Sequence, residues 1–342
     1  MTEPADVLRL LAAGRSLDEN QAADAVSSIL TGSWSDAEIA SFFSMLALRG
    51  ETADELVGAA KSLLANAVSI DAPQCPLLDT CGTGGDGAET FNVSTAVALV
   101  AAACGVKVAK HGNRSVSSRS GSADVLQQLG VNVEASPEAA SRCLDECGIA
   151  FFFAPRWHPA VAKVQAVRRA LKFRTIFNLV GPLANPLRAS MRVVGVGVAD
   201  WKDFLPARMA EALQRLGVES ALVVAAEDGL DEITLTGSTL ALRVTPTEIR
   251  EEIWTPEDFG LHRHSGAGWK VSTPAESAAV LRSVFASEPS PALDLVLANA
   301  AGALLTAGAA ATLKDGVEIA RSAIAEGKAS ATLDALVRCS HS

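Results

Sequence analysis

Hydrophobic positions in the first 70 residues recur at helical spacing, as in the run Ile39, Phe42, Phe43, Leu46 and Leu48. Three start signals punctuate them: Ser16-Leu17-Asp18-Glu19, Ser35-Asp36-Ala37-Glu38 and Thr52-Ala53-Asp54-Glu55. Each sets a hydroxyl N-cap before a glutamate three residues on, a pairing that satisfies orphan backbone amides in both directions. The pattern predicts a small all-helical N-terminal domain over residues 1–72. After the proline-bearing stretch Asp71 to Pro76 the texture changes to short β-type runs: Leu77-Leu78, Val106 to Ala109, Ile149 to Phe153, Val193 to Val198 and Ala221 to Ala226. Helical segments separate them, and that alternation predicts a larger α/β domain with a mostly parallel central sheet covered on both faces. Pro159 to Leu171 reads as a helix and Thr175 to Pro186 as a Pro/Gly-interrupted loop. The chain is therefore expected to rejoin the helical domain over about 156–188, leaving 73–155 and 189–342 for the α/β domain. Beyond residue 270, Ala275 to Phe285, Pro291 to Ala307 and Gly316 to Glu326 are alanine-rich, apolar-striped helices expected to pack on the sheet.

Length supports the division, since 342 residues exceed the roughly 250 to 300 at which single cores stop growing. Hydrophobic residues are 49% and charged ones 20%, without a run near the roughly 20 apolar residues of a spanning helix and without a leader pattern at Met1. A soluble, cytoplasmic protein with no membrane partner is expected. The formal charge of −10 repels polyanions, so extended nucleic-acid binding is disfavoured and any phosphate site must be a local basic or amide-rich pocket. Six cysteines lie apart from any CxxC pair, and Cys143 and Cys147 sit four apart on a predicted helix; they read as buried free thiols rather than zinc ligands or disulfides.

The densest chemical signal is Asp79-Thr80-Cys81-Gly82-Thr83-Gly84-Gly85-Asp86-Gly87, between a strand and a helix starting near Asn92 to Thr95. Its glycines let the backbone bend and bring amide N–H groups against an anion, and the helix N-terminus adds partial positive charge. The segment is neither GxGxxG nor GxxxxGK[ST], which argues against dinucleotides and nucleoside triphosphates. A tight turn is its bland reading, and an N-cap is that of Asn92-Val93-Ser94-Thr95. Next, Lys110 to Ser122 follows another strand and concentrates cations, hydroxyls and amides, the mixture a pyrophosphate needs; a solvated loop is the alternative. Asp231-Glu232, past a third strand, offers a carboxylate pair of the kind Mg²⁺ uses, or an ordinary turn. Of Arg168 and Arg169, one is expected to face inward and fork onto a substrate carboxylate; His158 reads as structural.

Taken together, Gly82-Thr83-Gly84-Gly85-Asp86, Asn92-Val93-Ser94-Thr95, Lys110-His111-Gly112-Asn113-Arg114-Ser115, Ser120-Gly121-Ser122-Ala123-Asp124, Arg174-Thr175-Ile176-Phe177-Asn178 with Gly181-Pro182-Leu183 and Asn185-Pro186, and Asp231-Glu232 resemble the anthranilate phosphoribosyltransferase family almost end to end. The resemblance implies that phosphoribosyl pyrophosphate meets Gly82, Gly85, Asp86, Thr90, Asn92, Val93, Ser94 and Thr95. It adds the basic segment Lys110, His111, Gly112, Asn113, Arg114, Ser115, Val116, Ser117 and Ser118, together with Ser122. Anthranilate would meet Gly82, Asn113 and Arg168. Ser94, Asp231 and Glu232 would hold two Mg²⁺ ions with the pyrophosphate. A helical domain hinged to an α/β domain of the nucleoside phosphorylase/phosphoribosyltransferase type is implied, as is a homodimer through the helical domains.

Two departures from the family pattern stand out. Trp157 occupies a position usually tyrosine, phenylalanine or histidine, which touches the shape of the acceptor channel. Lys270 to Ala278 lacks the usual Gly-Gly and Glu-Asn-Ala, with Ser277 within it, and is expected to fall outside the phosphate site. No residue is assigned as acid or base; Lys110 and His111 are electrostatic candidates. Two alternatives remain: a pyrimidine nucleoside phosphorylase-like enzyme, and a non-catalytic nucleic-acid-binding relative.

Overall fold

The computed structural model describes residues 3–70, 75–84, 87–115, 120–200 and 203–342. The chain opens with helices α1 (Pro4–Ala12), α2 (Glu19–Thr31), α3 (Asp36–Arg49) and α4 (Ala53–Ala65). Ser35 with Glu38, and Thr52 with Glu55, form the expected reciprocal caps of α3 and α4. At α2 the cap is displaced: Asp18 pairs with Gln21, and the Ser16–Glu19 pairing does not form. Leu17 is the reason, because its buried side chain and its N–H, 2.9 Å from Glu55 Oε1, hold Ser16 outside the helix. Ile39, Phe42, Phe43 and Leu46 are buried along one stripe of α3, whereas Leu48 lies off it and is 90% exposed.

The rest of the chain alternates as predicted: β1 (Leu78–Gly82), α5 (Val93–Ala103), β2 (Val108–Gly112), α6 (Ser122–Gln128), α7 (Pro137–Glu146) and β3 (Ile149–Phe153). Short helices α8 (Ala154–Trp157), α9 (Gln165–Leu171) and α10 (Ile176–Leu179) follow, with a 3₁₀ turn over Pro159–Val164 in place of the first half of the predicted helix. Then come β4 (Met191–Gly195), α11 (Phe204–Arg215), β5 (Ser220–Ala226), β6 (Thr239–Val244) and β7 (Ile249–Trp254). Helices α12 (Pro274–Phe285), α13 (Pro291–Thr306), α14 (Leu313–Ala325) and α15 (Lys328–Ser340) close the chain.

The strands form one sheet in the order β3-β2-β1-β4-β5-β6-β7. Pairs from β3 to β5 are parallel, and β6 and β7 add an antiparallel edge. The order reverses at β1, with β2 on one side and β4 on the other, which opens a crevice at the strands' C-terminal ends. Alternate residues of each strand face opposite layers. Leu222 and Val224 of β5 join a core with Leu99, Val108, Phe152, Leu295 and Leu297. Ala221, Val223 and Ala225 join a second core with Phe42, Phe43 and Leu56, and with Val164, Ile176 and Leu179. The segment after β3 thus packs with the N-terminal helices. Burying each such aromatic or aliphatic side chain contributes about 1.5 to 3 kcal/mol. Among the described residues no helix is long and apolar enough to cross a membrane. The six cysteines are free, though of them only Cys143 is buried.

Candidate active site

Gly82 and Gly195 lie opposite each other at the ends of β1 and β4. Their missing side chains make the site possible. A Cβ on Gly82 would lie 2.2 Å from Asp231 Oδ2, and one on Gly195 would lie 1.6 Å from the Asp231 carbonyl oxygen. The loop after β5 therefore rests directly on these strand ends, and Asp231 Oδ2 accepts a hydrogen bond from the Gly84 N–H at 2.9 Å. Gly84 adopts a φ of +64°, which places its N–H toward the carboxylate at little cost for glycine. Beside it, Glu232 Oε1 accepts from the Ser94 N–H at 3.1 Å, so a carboxylate from the loop after β5 occupies an amide of the first turn of α5. Asn92, at the N-cap position, makes no capping bond. Its Oδ1 instead accepts from Ser120 Oγ at 2.7 Å and Ser277 Oγ at 2.8 Å, tying the glycine loop to the basic loop.

The basic loop is held in turn by Asp124, whose Oδ2 accepts from the N–H groups of Ser115 and Gly121 at 2.9 and 3.0 Å. Arg114 donates to Asp124 and Gln127, at 3.2 and 2.9 Å, and lies 5.6 Å over the Phe153 ring. Lys110 is 2% exposed; its Nζ donates to the Thr80 carbonyl at 2.6 Å and reaches Ser94 Oγ at 3.4 Å. Burial lowers its pKa, against Asp79 and Glu232, which raise it.

These segments line one cavity of about 570 Å³ that continues toward the helical layer. Gly82, Thr90, Asn92, Val93 and Ser94 are on its wall, as are Lys110 to Ser115, Ser122, Asp231 and Glu232. The helical segments add a wall that is mostly apolar, with Leu63, Pro155, Val161, Phe177 and Pro182, alongside Arg168, Gln165 and Asn178. Arg168 is half-buried over the Phe177 ring at 5.9 Å, and among the described residues nothing accepts a hydrogen bond from it; Arg169 is exposed. Gly85, Asp86, Val116, Ser117 and Ser118 lie outside the described residues.

Three expectations need correction. Thr95 does not line the cavity: its side chain is fully buried, with Oγ1 unpartnered. Trp157 turns into the core against Phe152, with ring centroids 5.1 Å apart, and is absent from the channel wall. Ser277 stays off the cavity wall, but it bonds Asn92, which lines it. His111 cannot serve as a cation near neutrality, because burial holds its imidazole well below the usual range. Its Nδ1 donates to the Gly181 carbonyl at 3.3 Å, and Nε2 is buried without a partner among the described residues. His158 stacks edge-on at 5.2 Å, with Nε2 on the Ala184 carbonyl at 2.9 Å.

Beneath the wall lies a network that sequence reasoning did not single out. Buried Asp79 accepts from the His111 N–H at 3.1 Å and from Asn185 Nδ2 at 2.8 Å, with the buried Arg192 guanidinium nearby. Arginine inside the apolar strand Met191-Arg192-Val193 was the available signal, since a buried charge requires a partner.

Among the described residues no three His, Cys, Asp or Glu side chains are grouped to hold a metal alone. Two adjacent carboxylates beside an anion cradle suit Mg²⁺, which takes one or two carboxylates and completes its shell with phosphate oxygens and water.

The family model for the a/b domain of a glycosyl transferase family matches residues 74–330, and that for its helical bundle domain matches 5–67. The chain is 47% identical over 319 residues to anthranilate phosphoribosyltransferase of Geobacillus kaustophilus, covering 93% of each. The crystal structure of the Thermus thermophilus enzyme superposes with a TM-score of 0.91 at 40% identity, covering 98% of this chain and 100% of that one. The Saccharomyces cerevisiae enzyme, in complex with phosphoribosyl pyrophosphate and Mg, gives 0.89 at 26% identity, covering 99% and 98%. The two-glycine floor, the anion cradle and the near end-to-end match agree: this chain belongs to the anthranilate phosphoribosyltransferase family.

Proposed function

We propose that the chain transfers the phosphoribosyl group of 5-phosphoribosyl 1-pyrophosphate to the amine of anthranilate, releasing pyrophosphate, in tryptophan biosynthesis. The observation that carries this reading is a single cavity with two unlike ends. One end offers amides, hydroxyls, Lys110 and a carboxylate pair, and the other is mostly apolar around an arginine that has no acceptor among the described residues. Phosphoribosyl pyrophosphate would take the first end, against Gly82, Gly85, Asp86, Thr90, Asn92 to Ser94, Lys110 to Ser118 and Ser122. Anthranilate would take the second, its ring among Val161, Phe177 and Pro182, its carboxylate on Arg168, with Gly82 and Asn113 nearby.

Ser94, Asp231 and Glu232 would hold Mg²⁺, two ions per site, which when bound neutralises charge on the leaving pyrophosphate. The protein's contribution is positioning and electrostatics. Cleavage of the C1–O bond leaves positive character at C1 while the electron pair departs on pyrophosphate. The anthranilate nitrogen then forms the C1–N bond from the opposite face. An aromatic amine carries its lone pair at neutral pH, so attack needs no prior deprotonation. The proton it sheds after bond formation passes to water or to the departing pyrophosphate. The division into a helical domain, 1–72 with about 156–188, and an α/β domain of the remainder belongs to this reading and places the cavity between them. So does a homodimer through the helical domains.

Purified protein should consume anthranilate fluorescence only when phosphoribosyl pyrophosphate and Mg²⁺ are both present. Fluorescence that stays constant under those conditions, with base released from thymidine or uridine on adding phosphate, would replace this reading by a nucleoside phosphorylase.

A further inference from the structure

Helix α13 is almost wholly apolar, yet Asn299, 3% exposed, sits in its middle. A buried amide is costly unless its groups are bonded, and Asn299 spends two of its bonds on one residue of another segment. Its Oδ1 accepts from the Ile233 N–H at 2.8 Å and its Nδ2 donates to the Ile233 carbonyl at 2.9 Å; a third bond goes to the Leu295 carbonyl at 2.9 Å. Ile233 directly follows Asp231-Glu232. One turn along α13, a Cβ on Gly302 would meet Ile233 Cδ1 at 2.7 Å, so the helix grips that residue by main chain and side chain alike.

Helix α12 makes a matching clip on the other side of the site. Ser277, fully buried, accepts from the Asn92 N–H at 3.1 Å and donates to Asn92 Oδ1 at 2.8 Å. Asn92 leads into α5, where the Ser94 N–H meets Glu232. The two clips therefore fix the two segments that the Ser94–Glu232 bond joins, and neither clipping side chain reaches the cavity itself.

We infer that Asn299 and Ser277 are positioning residues that set the Asp231-Glu232 pair and the Asn92 to Ser94 turn against each other from behind. The inference rests on the proposed reading of those segments as the metal and pyrophosphate site. Partners of this kind, one shell behind a metal site, are typically worth 10- to 100-fold in metal affinity or activity.

The test compares Asn299→Ala, Ser277→Ala and Ser277→Thr with the unaltered protein, each at a temperature well below its own unfolding midpoint. Calorimetric titration with Mg²⁺ and phosphoribosyl pyrophosphate reads binding without turnover, and steady-state assays give half-saturating Mg²⁺ and KM for anthranilate. Asn299→Ala should raise half-saturating Mg²⁺ about 10- to 100-fold. Ser277→Ala should weaken phosphoribosyl pyrophosphate by about tenfold, with Ser277→Thr recovering most of it. In both alanine variants KM for anthranilate should stay within about twofold, because Arg168 is held from other elements. Folded alanine variants that lose thermal stability but keep both affinities would reduce these residues to scaffold and overturn the inference. If Asn299→Ala does not fold, Asn299→Ser and the Ser277 pair decide. Unaltered protein that binds Mg²⁺ and phosphoribosyl pyrophosphate but ignores anthranilate would sink the acceptor assignment alone. Protein that binds neither would sink the inference with the site.

Discussion

The guanidinium of Arg168 stands half-buried over Phe177 in an apolar wall, without an acceptor among the described residues. Burial lowers its pKa, yet arginine stays charged, so the site keeps an uncompensated cation waiting for an anion. Arg168→Ala should raise KM for anthranilate about 10- to 100-fold, the loss of a charge-assisted bond worth about 1.5 to 3 kcal/mol, with kcat changed far less. Steady-state kinetics at saturating phosphoribosyl pyrophosphate checks this, and an unchanged KM refutes it. The paired imidazoles give a second prediction. Burial depresses both His111 and His158 from the usual 6.5, so on acidification the unfolded chain takes up protons before the folded one. Stability is thus flat in this respect above pH 6.5 and falls as pH drops below it, by at most about 1.4 kcal/mol per pH unit for each group. Urea midpoints should fall between pH 6.5 and about 5.5, less steeply in His111→Asn and His158→Asn; parallel slopes in all three proteins would contradict this. At this scale the sequence was legible where function concentrates unusual residue types, as in the glycine loop and Lys110 to Ser122. It was not legible where a residue acts by what it faces: nothing in the letter at 299 or 277 announces a partner 66 or 185 positions away.

Helix starts were readable because caps are local chemistry. Ser35 and Thr52 cap as expected, and only the tertiary bond from Leu17 to Glu55 displaced the third. Glu55 shows how one residue serves two elements. It is fully buried, accepts from the N–H groups of Leu17 and Thr52 at 2.9 Å each, and pairs with Arg49. Glu55→Ala should cost about 3 to 5 kcal/mol, since it strands a partly buried cation and two amides. Glu38→Ala, on an exposed cap, should cost about 1 kcal/mol. Denaturant unfolding of both checks the ratio; equal losses would show that burial is not what sets the value of the cap. The antiparallel edge was missed for an equally physical reason. Strand β7 reads Ile249-Arg250-Glu251-Glu252-Ile253-Trp254 and is mostly exposed, the charged edge that discourages further pairing. Charge there hides the period that marks an interior strand.

At the scale of the molecule the sheet is the boundary between two apolar layers, and the cavity opens where the strand order turns back at β1. Every parallel strand was visible as an apolar run, so the architecture followed; which side chains meet behind the cavity did not, because that depends on contacts spread across the chain. The outer surface carries one more feature. Along α3 the inward stripe of Ile39, Phe42, Phe43 and Leu46, with Met45 packed against the same core, leaves Leu48 on another face, 90% exposed. A leucine that open buries nothing within the chain. In the homodimer proposed through the helical domains, Leu48 would meet its own copy, and a charge there would repel itself across the twofold axis. Leu48→Arg should convert the protein to a monomer by sedimentation velocity at micromolar concentration. Anthranilate turnover per chain should stay within about twofold, because the cavity is built from a single chain. A dimer that persists in Leu48→Arg, with the same sedimentation coefficient as the parent, would move the interface off α3.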